Sequence, residues 1–196
     1  AILLAGLHAN GTTRVREARK TRDHTERMLE GFGAHVDTEA DGEGQIVSIE
    51  GGQTLRPMNF TVPGDPSSAA FLFAAAMISP NSDVIVEGIM TNPTRAGLLS
   101  LAYDMAAIED LDRQTISGEE VVTIRVSGNG AIARALPSPG LVPAMIDEFP
   151  IYAVLAAFAD GETRITGAEE LRVKESDRIT ATVNMLRANG VEAEER

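Results

Sequence analysis

One pattern recurs three times along the chain, and it constrains the fold more than any single residue does. Each copy runs in the same order: an apolar, Ala-rich helix, a short β-branched strand, a loop closing on an arginine, an amphipathic helix, then a hairpin of alternating residues. Self-similarity of this kind marks a supersecondary unit repeated in series. It predicts the α/β (α+β) class, built from repeated βαβαββ units.

In the first copy the helix is Ala1–Leu7, ended by Asn10-Gly11, and Thr13 and Val15 mark the strand. Arg22 closes the loop. Thr25, Leu29 and Phe32 then stand at i, i+4 and i+7, one face of a helix, and Gly33 is its expected C-cap. Residues Ala34–Thr38 and Gln45–Glu50, joined by Asp41-Gly42-Glu43-Gly44, read as a hairpin. The second copy enters by a predicted strand Met58–Val62 and a Pro63-Gly64 turn. Asp65 is placed to cap the helix Ser67–Ile78, with Pro66 at its first position. Val84–Val86 is the strand and Arg95 closes the loop. Leu98, Ala102 and Met105 repeat the helical stripe, and Val122, Ile124 and Val126 alternate with Thr123, Arg125 and Ser127 as a half-exposed strand. The third copy follows the loop Gly130–Pro143. It offers a helix Glu148–Phe158, a strand Thr163–Thr166, the loop arginine Arg178, the stripe Ile179, Val183, Leu186, a cap at Asn189-Gly190, and the start of another strand.

The net charge of −12 argues against a general nucleic-acid or anionic-membrane partner. An anionic small molecule would have to be held by local cationic clusters. With no cysteine there is no disulfide and no thiolate chemistry, which fits a cytoplasmic location. The apolar runs Ile2–Leu7, Ala69–Ile78 and Ile151–Phe158 are too short to span a bilayer. No P-loop, dinucleotide fingerprint or zinc motif is present, and His8, His24 and His35 have no metal-ligand spacing. Neither a metal nor any cofactor is expected. The chain opens inside an apolar run without Met and stops within a predicted strand, so it reads as an internal fragment of a longer protein.

The densest chemistry lies in Leu171-Arg172-Val173-Lys174-Glu175-Ser176-Asp177-Arg178-Ile179. Ser176 or Asp177 can cap the following helix. Lys174 and Glu175 then stand at its mouth and Arg178 in its first turn. Free backbone N–H groups, the helix dipole and two cations favour a phosphate or carboxylate there. Glu175 is the candidate proton donor, a role requiring a carboxyl pKa raised by burial against the pull of Lys174 and Arg178. Taken by itself, the cluster also fits a solvated, charge-paired helix start.

The nonamer resembles the signature of the 3-phosphoshikimate 1-carboxyvinyltransferases, the enolpyruvylshikimate-phosphate synthases of aromatic amino-acid biosynthesis. The likeness extends to Ala1-Ile2-Leu3-Leu4-Ala5-Gly6-Leu7, Thr21-Arg22-Asp23-His24-Thr25-Glu26, Pro63–Phe71, Asn92-Pro93-Thr94-Arg95 and Ile146-Asp147-Glu148-Phe149-Pro150, in family order. The resemblance implies an inside-out α/β barrel fold of two domains, here incomplete. Residues 1–62 would be the end of the N-terminal domain, and residues 63–196 the first two repeat units of the C-terminal domain. It implies the substrates shikimate 3-phosphate and phosphoenolpyruvate. Lys174 and Glu175 would lie at the reacting centre, Arg178 on phosphoenolpyruvate, Asp147 on the shikimate hydroxyl as the base, and Arg22 on the 3-phosphate. Without the resemblance, Asp147 reads as an N-cap for the helix that follows, a role compatible with that of the base. Glu148 reads as structural, and so does Arg95, which occupies the same place in its copy as Arg22. Most of Arg14, Arg16, Arg19 and Lys20 read as solvated.

Two other readings compete. One is the sister enolpyruvyl transferase acting on UDP-N-acetylglucosamine, whose reactive Cys has no counterpart here. The other is a non-catalytic α/β repeat module, in which Asp147, Lys174, Glu175 and Arg178 would scatter over the surface. The family's other substrate clamps lie outside this span, so the fragment alone is expected to be inactive. Exposed helix faces and sheet edges would favour its self-association.

Overall fold

The computed structural model describes residues 1–195. They form two compact units that part between Val62 and Pro63, except that the hairpin tip Thr115–Glu119 belongs with the first.

The first unit carries α1 (Ile2–Gly6), β1 (Thr12–Glu17), α2 (His24–Gly31), β2 (Val36–Asp41) and β3 (Gly44–Glu50). The three strands form one antiparallel sheet in the order β1-β3-β2. Its register follows from the tight turn: Asp41 pairs with Gly44, leaving only Gly42 and Glu43 between the strands, with Gly42 at φ +65°. Gly33 ends α2 at φ +85°, and the Ala34 N–H donates to the Leu29 carbonyl at 2.9 Å. Leu3, Leu7, Leu29, Ala34, Val36, Val47 and Ile49 make the core between helices and sheet. Each large aliphatic side chain among them stabilises the unit by about 1.5–3 kcal/mol. At Gly6 a Cβ would stand 2.9 Å from Thr13 and Ile49, so only glycine lets α1 lie this close to the sheet.

The second unit holds α3 (Pro66–Ile78), β4 (Ser82–Met90), α4 (Gly97–Met105), most of β5 (Ala107–Ile116) and β6 (Glu119–Gly128), a 3-10 turn Val142–Met145, α5 (Phe149–Phe158), a 3-10 turn Glu169–Val173 and α6 (Arg178–Ala188). The strand order is β4-β6-β5. On central β6, Val122, Ile124 and Val126 are fully buried while Thr123, Arg125 and Ser127 face the other way, as their alternation predicts. The stripe Leu98, Ala102, Met105 is likewise buried. Helix α3 packs on β4, α4 and α5, and α5 packs on α6. The Tyr152 ring is completely buried edge-on to Phe149, and its hydroxyl donates to the Ala135 carbonyl at 2.7 Å.

Three predicted strands are not formed. Residues 58–62 have no ladder partner; pairing is confined to Gly64, whose N–H donates to Gly88 at 2.8 Å and whose carbonyl accepts from Met90 at 2.9 Å. Gly64 docks where β4 bulges, between Val86 and Ile89, with Gly88 at φ +66°. Thr163–Thr166 and residues 191–195 are also outside any strand. Their β-branched or alternating composition suits a pleated surface, but a strand exists only against a neighbour. The third copy therefore shows its two helices, α5 and α6, and no sheet among the described residues. No helix among those residues is long and apolar enough to cross a membrane.

Candidate active site

Four of the five singled-out residues, Asp147, Lys174, Glu175 and Arg178, lie in the second unit. Local structure sets each one. Asp177 caps α6, its carboxylate accepting from the N–H groups of Ile179 at 3.1 Å and Thr180 at 3.0 Å. This fixes Arg178 as the first helical residue and leaves Lys174 and Glu175 on the bend before it. Asp147 follows the 3-10 turn Val142–Met145, which carries Pro143 at its second position, and precedes α5, which carries Pro150 in its first turn.

The Arg178 guanidinium joins the two candidate acids. One of its nitrogens lies 3.0 Å from Asp147 Oδ1 and the other 2.7 Å from Glu175 Oε2. Asp147 is half-buried and stands one residue before the cap position of α5. Glu148 occupies the cap position, without a side-chain capping bond, and the Asp147 carboxylate is turned to Arg178. Glu175 does not have the raised pKa that a resting proton donor requires. Its side chain is 81% exposed, and its own backbone N–H and the Arg178 guanidinium hold its carboxyl below the usual carboxylate range. Lys174 pairs with Glu170 at 2.7 Å.

A second arginine completes the cluster. Arg95, only 13% exposed, lies 3.1 Å from Asp65 Oδ1, 2.9 Å from Glu148 Oε1 and 3.6 Å from Asp147 Oδ2. Its loop is shaped by buried Asn92, whose side-chain oxygen accepts from the Thr94 N–H and hydroxyl and whose carbonyl accepts from Arg95 and Ala96. Ser67, in the first turn of α3, donates a hydrogen bond to Glu148 Oε1. Glu148 is 3% exposed and its other oxygen has no hydrogen-bond partner among the described residues. Burial pushes its carboxyl pKa up, against the opposing pull of Ser67 and Arg95. Charges thus alternate from Asp65 through Arg95 to Glu148 and Asp147, then through Arg178 to Glu175. Sequence reading assigned Arg95 and Glu148 to structure alone. The repeat reads as a sign of a structural loop arginine; Arg95 equally holds the place of Arg178, and that half of the echo points to the carboxylate cluster.

Arg22 belongs to the first unit. It is exposed and lines a hollow of about 330 Å³ with Ala1, Glu17, Thr25 and Glu26 among others. The nearby cations are matched by acids: Arg14 by Glu39 at 3.5 Å, Arg16 by Asp41, Arg19 by Glu43 at 3.9 Å and Lys20 by Asp23 at 3.8 Å. His24, which spacing alone left without partners, lies 2.7 Å from Glu119 and close to Asp23. Arg27 also lies among these acids, 3.1 Å from Asp23 and 3.9 Å from Glu119. Sequence spacing could not reveal a grouping whose members are 95 positions apart.

The family model of EPSP synthase (3-phosphoshikimate 1-carboxyvinyltransferase) matches residues 1–196. The chain belongs to the EPSP synthase family. A 3-phosphoshikimate 1-carboxyvinyltransferase of Hyphomonas neptunium is 57% identical over 197 residues, covering 100% of this chain and 45% of the relative. One from a Methylobacterium species is 52% identical, covering 97% of this chain and 43% of the relative. An EPSP synthase structure from Acinetobacter baumannii superimposes with a TM-score of 0.83 at 42% identity, over 95% of this chain and 41% of that one. The chain spans under half the length of these family members. Over that span its mixed α/β fold is that of the solved EPSP synthases, which have the inside-out α/β architecture.

Proposed function

We propose that this chain supplies part of the active site for enolpyruvyl transfer from phosphoenolpyruvate to the 5-hydroxyl of shikimate 3-phosphate. The observation that carries the reading is one guanidinium, Arg178, shared by the two acids Asp147 and Glu175. Residues 1–62 then end the N-terminal domain, and residues 63–196 are the first two units of the C-terminal one. The cytoplasm is the compartment this reading implies.

The chemistry follows from the charges. The hydroxyl oxygen attacks C2 of phosphoenolpyruvate while its proton passes to Asp147, and the methylene carbon gains a proton. The methyl group of the adduct then loses a proton as the C–O bond to phosphate breaks, leaving the enol ether and free phosphate. Arg178 and Lys174 offset the charge of the phosphoenolpyruvate anion, and Arg22 binds the 3-phosphate. Glu175 is ionised in the resting chain, so it must acquire its proton when substrate binds. An incoming carboxylate or phosphate competes for Arg178, the Glu175 carboxyl loses its cation, and its pKa rises toward the range useful to a general acid. Asp147 keeps a second cationic neighbour in Arg95 through this exchange.

The test exchanges this chain for the matching span of the Hyphomonas neptunium relative and measures phosphate release from the two substrates. The unmutated chimera should turn over, and Asp147→Asn should lower kcat by roughly 10²–10⁴-fold, the usual contribution of a positioned base. Undiminished turnover in Asp147→Asn would refute the assignment. A folded chimera without turnover would favour a non-catalytic repeat module. The isolated chain is also proposed to self-associate, because Val62, Phe71, Leu72 and Phe158 stand more than half exposed.

A further inference from the structure

The buried Glu148 carboxylate and Arg95 are more than core polar residues. We infer that Ser67, Glu148 and Arg95 form a clamp that positions Asp147, holding its Oδ2 so that Oδ1 stays at Arg178. This inference rests on the enolpyruvyl-transfer reading and adds two positioning residues to it.

Four observations carry it. Arg95 is nearly buried and meets three carboxylates from two separate segments, Asp65 before α3 and the Asp147-Glu148 pair before α5. Its planar fork is used on both sides: one terminal nitrogen faces Asp65, the other faces Glu148 and Asp147. Glu148 in turn is fixed by Ser67 at the start of α3 and lies almost wholly out of solvent. Its Oε2 is buried, with no hydrogen-bond partner among the described residues. The two oxygens of Asp147 thereby face different cations, Oδ1 at 3.0 Å from Arg178 and Oδ2 at 3.6 Å from Arg95. A base so placed has its orientation set from behind, and only the Arg178 side changes when an anion arrives.

The groups that face this carboxylate cluster are Asp65 and Ser67 at the start of α3, Arg95 ahead of α4, Asp147 and Glu148 ahead of α5, and Arg178 with Glu175 at the start of α6. Removing Arg95 takes one cation from Asp147 and leaves the other. The Asp147 pKa should then rise, because an adjacent cation favours the charged form.

The experiment uses the same chimera with Glu148→Ala, Glu148→Gln and Arg95→Lys, each checked for folding by circular dichroism. Glu148→Ala frees Arg95 and should lower kcat by roughly 30–100-fold, the scale of a misplaced catalytic group, with each KM moved less than about threefold. Glu148→Gln keeps an acceptor for Ser67 and Arg95 and should recover most of that loss. Arg95→Lys keeps a charge but loses the fork. One ammonium cannot face Asp65 on one side and Asp147 on the other as the two guanidinium nitrogens do, so Asp147 loses this cation: kcat should fall about tenfold and the acidic limb of the kcat profile should move to higher pH. If Glu148→Ala does not fold, Arg95→Lys decides alone. An Arg95→Lys enzyme with unchanged kcat and an unmoved acidic limb overturns the clamp, as does a Glu148→Ala loss that Gln does not recover. An unmutated, folded chimera without turnover would instead overturn the functional reading, and the clamp with it.

Discussion

The Glu148 carboxyl is buried against Ser67 and Arg95, and burial outweighs both in raising its pKa. In the window between the ordinary carboxylate value and the raised one, the unfolded chain has released the proton and the folded chain has kept it. The unfolded state then binds fewer protons, so this residue makes stability fall as pH rises through the window. Gln at this position cannot ionise. The melting temperature of Glu148→Gln minus that of the parent chain should therefore become more positive as pH rises from the ordinary carboxylate value through the raised one. A difference that stays constant or shrinks would mean that the carboxyl is not held protonated. Sequence reading singled out Lys174, Glu175 and Arg178 because they stand together in one charged motif, and Asp147 through the family resemblance. It could not find that Glu175 rests ionised, since exposure and the distance to Arg178 are properties of the folded chain. Nor could it give Glu148 more than a structural part, because an isolated acid in a sequence carries no sign of its burial.

At the scale of elements, the caps hold the site together. Asp65 accepts from the Ser67 and Ser68 N–H groups while also pairing with Arg95. Burial raises its pKa, but the bonds from Ser68 and Ser67 and the Arg95 charge outweigh that and leave it below the ordinary range. Its contribution is present above the unfolded pKa and is lost as pH falls through the lower folded value. Asp65→Ala should destabilise the chain by about 1 kcal/mol in urea unfolding, the usual size of a lost N-cap, whereas Asp65→Asn keeps the cap. No difference between Ala and Asn would show that the cap is idle. Gly128, at the end of β6, marks a second constraint. A Cβ there would lie 1.9 Å from the Ala76 carbonyl oxygen and 2.3 Å from the Ser82 hydroxyl, so Gly128→Ala should yield little folded protein. The helices were the most legible elements, since stripe, cap and Pro or Gly signals agreed, as at Asp65-Pro66 and Asp177. Strands were read well where a hairpin partner follows closely, as in β2 and β3. The stretches Met58–Val62 and Thr163–Thr166 were misread because nothing in a short β-branched run states whether a neighbour exists.

For the whole molecule, the span matters most. The chain belongs to the EPSP synthase family and matches it from end to end, yet covers about 45% of the Hyphomonas neptunium relative. The helix α3 is apolar on every side, with Phe71 and Leu72 61% and 58% exposed. The isolated chain should therefore show a mass that rises with concentration in light scattering, and no phosphate release from shikimate 3-phosphate and phosphoenolpyruvate. A concentration-independent monomer would contradict the first expectation, and measurable turnover the second. The most direct test of the central claim, that Arg178 makes one site of two separated acids, is a ¹³C NMR titration of the Glu175 carboxyl. In the unmutated chain it should titrate below the ordinary carboxylate range, and in Arg178→Gln it should move back toward that range. Superimposable titration curves for the two proteins would show that the guanidinium does not hold Glu175, and the shared site would be lost.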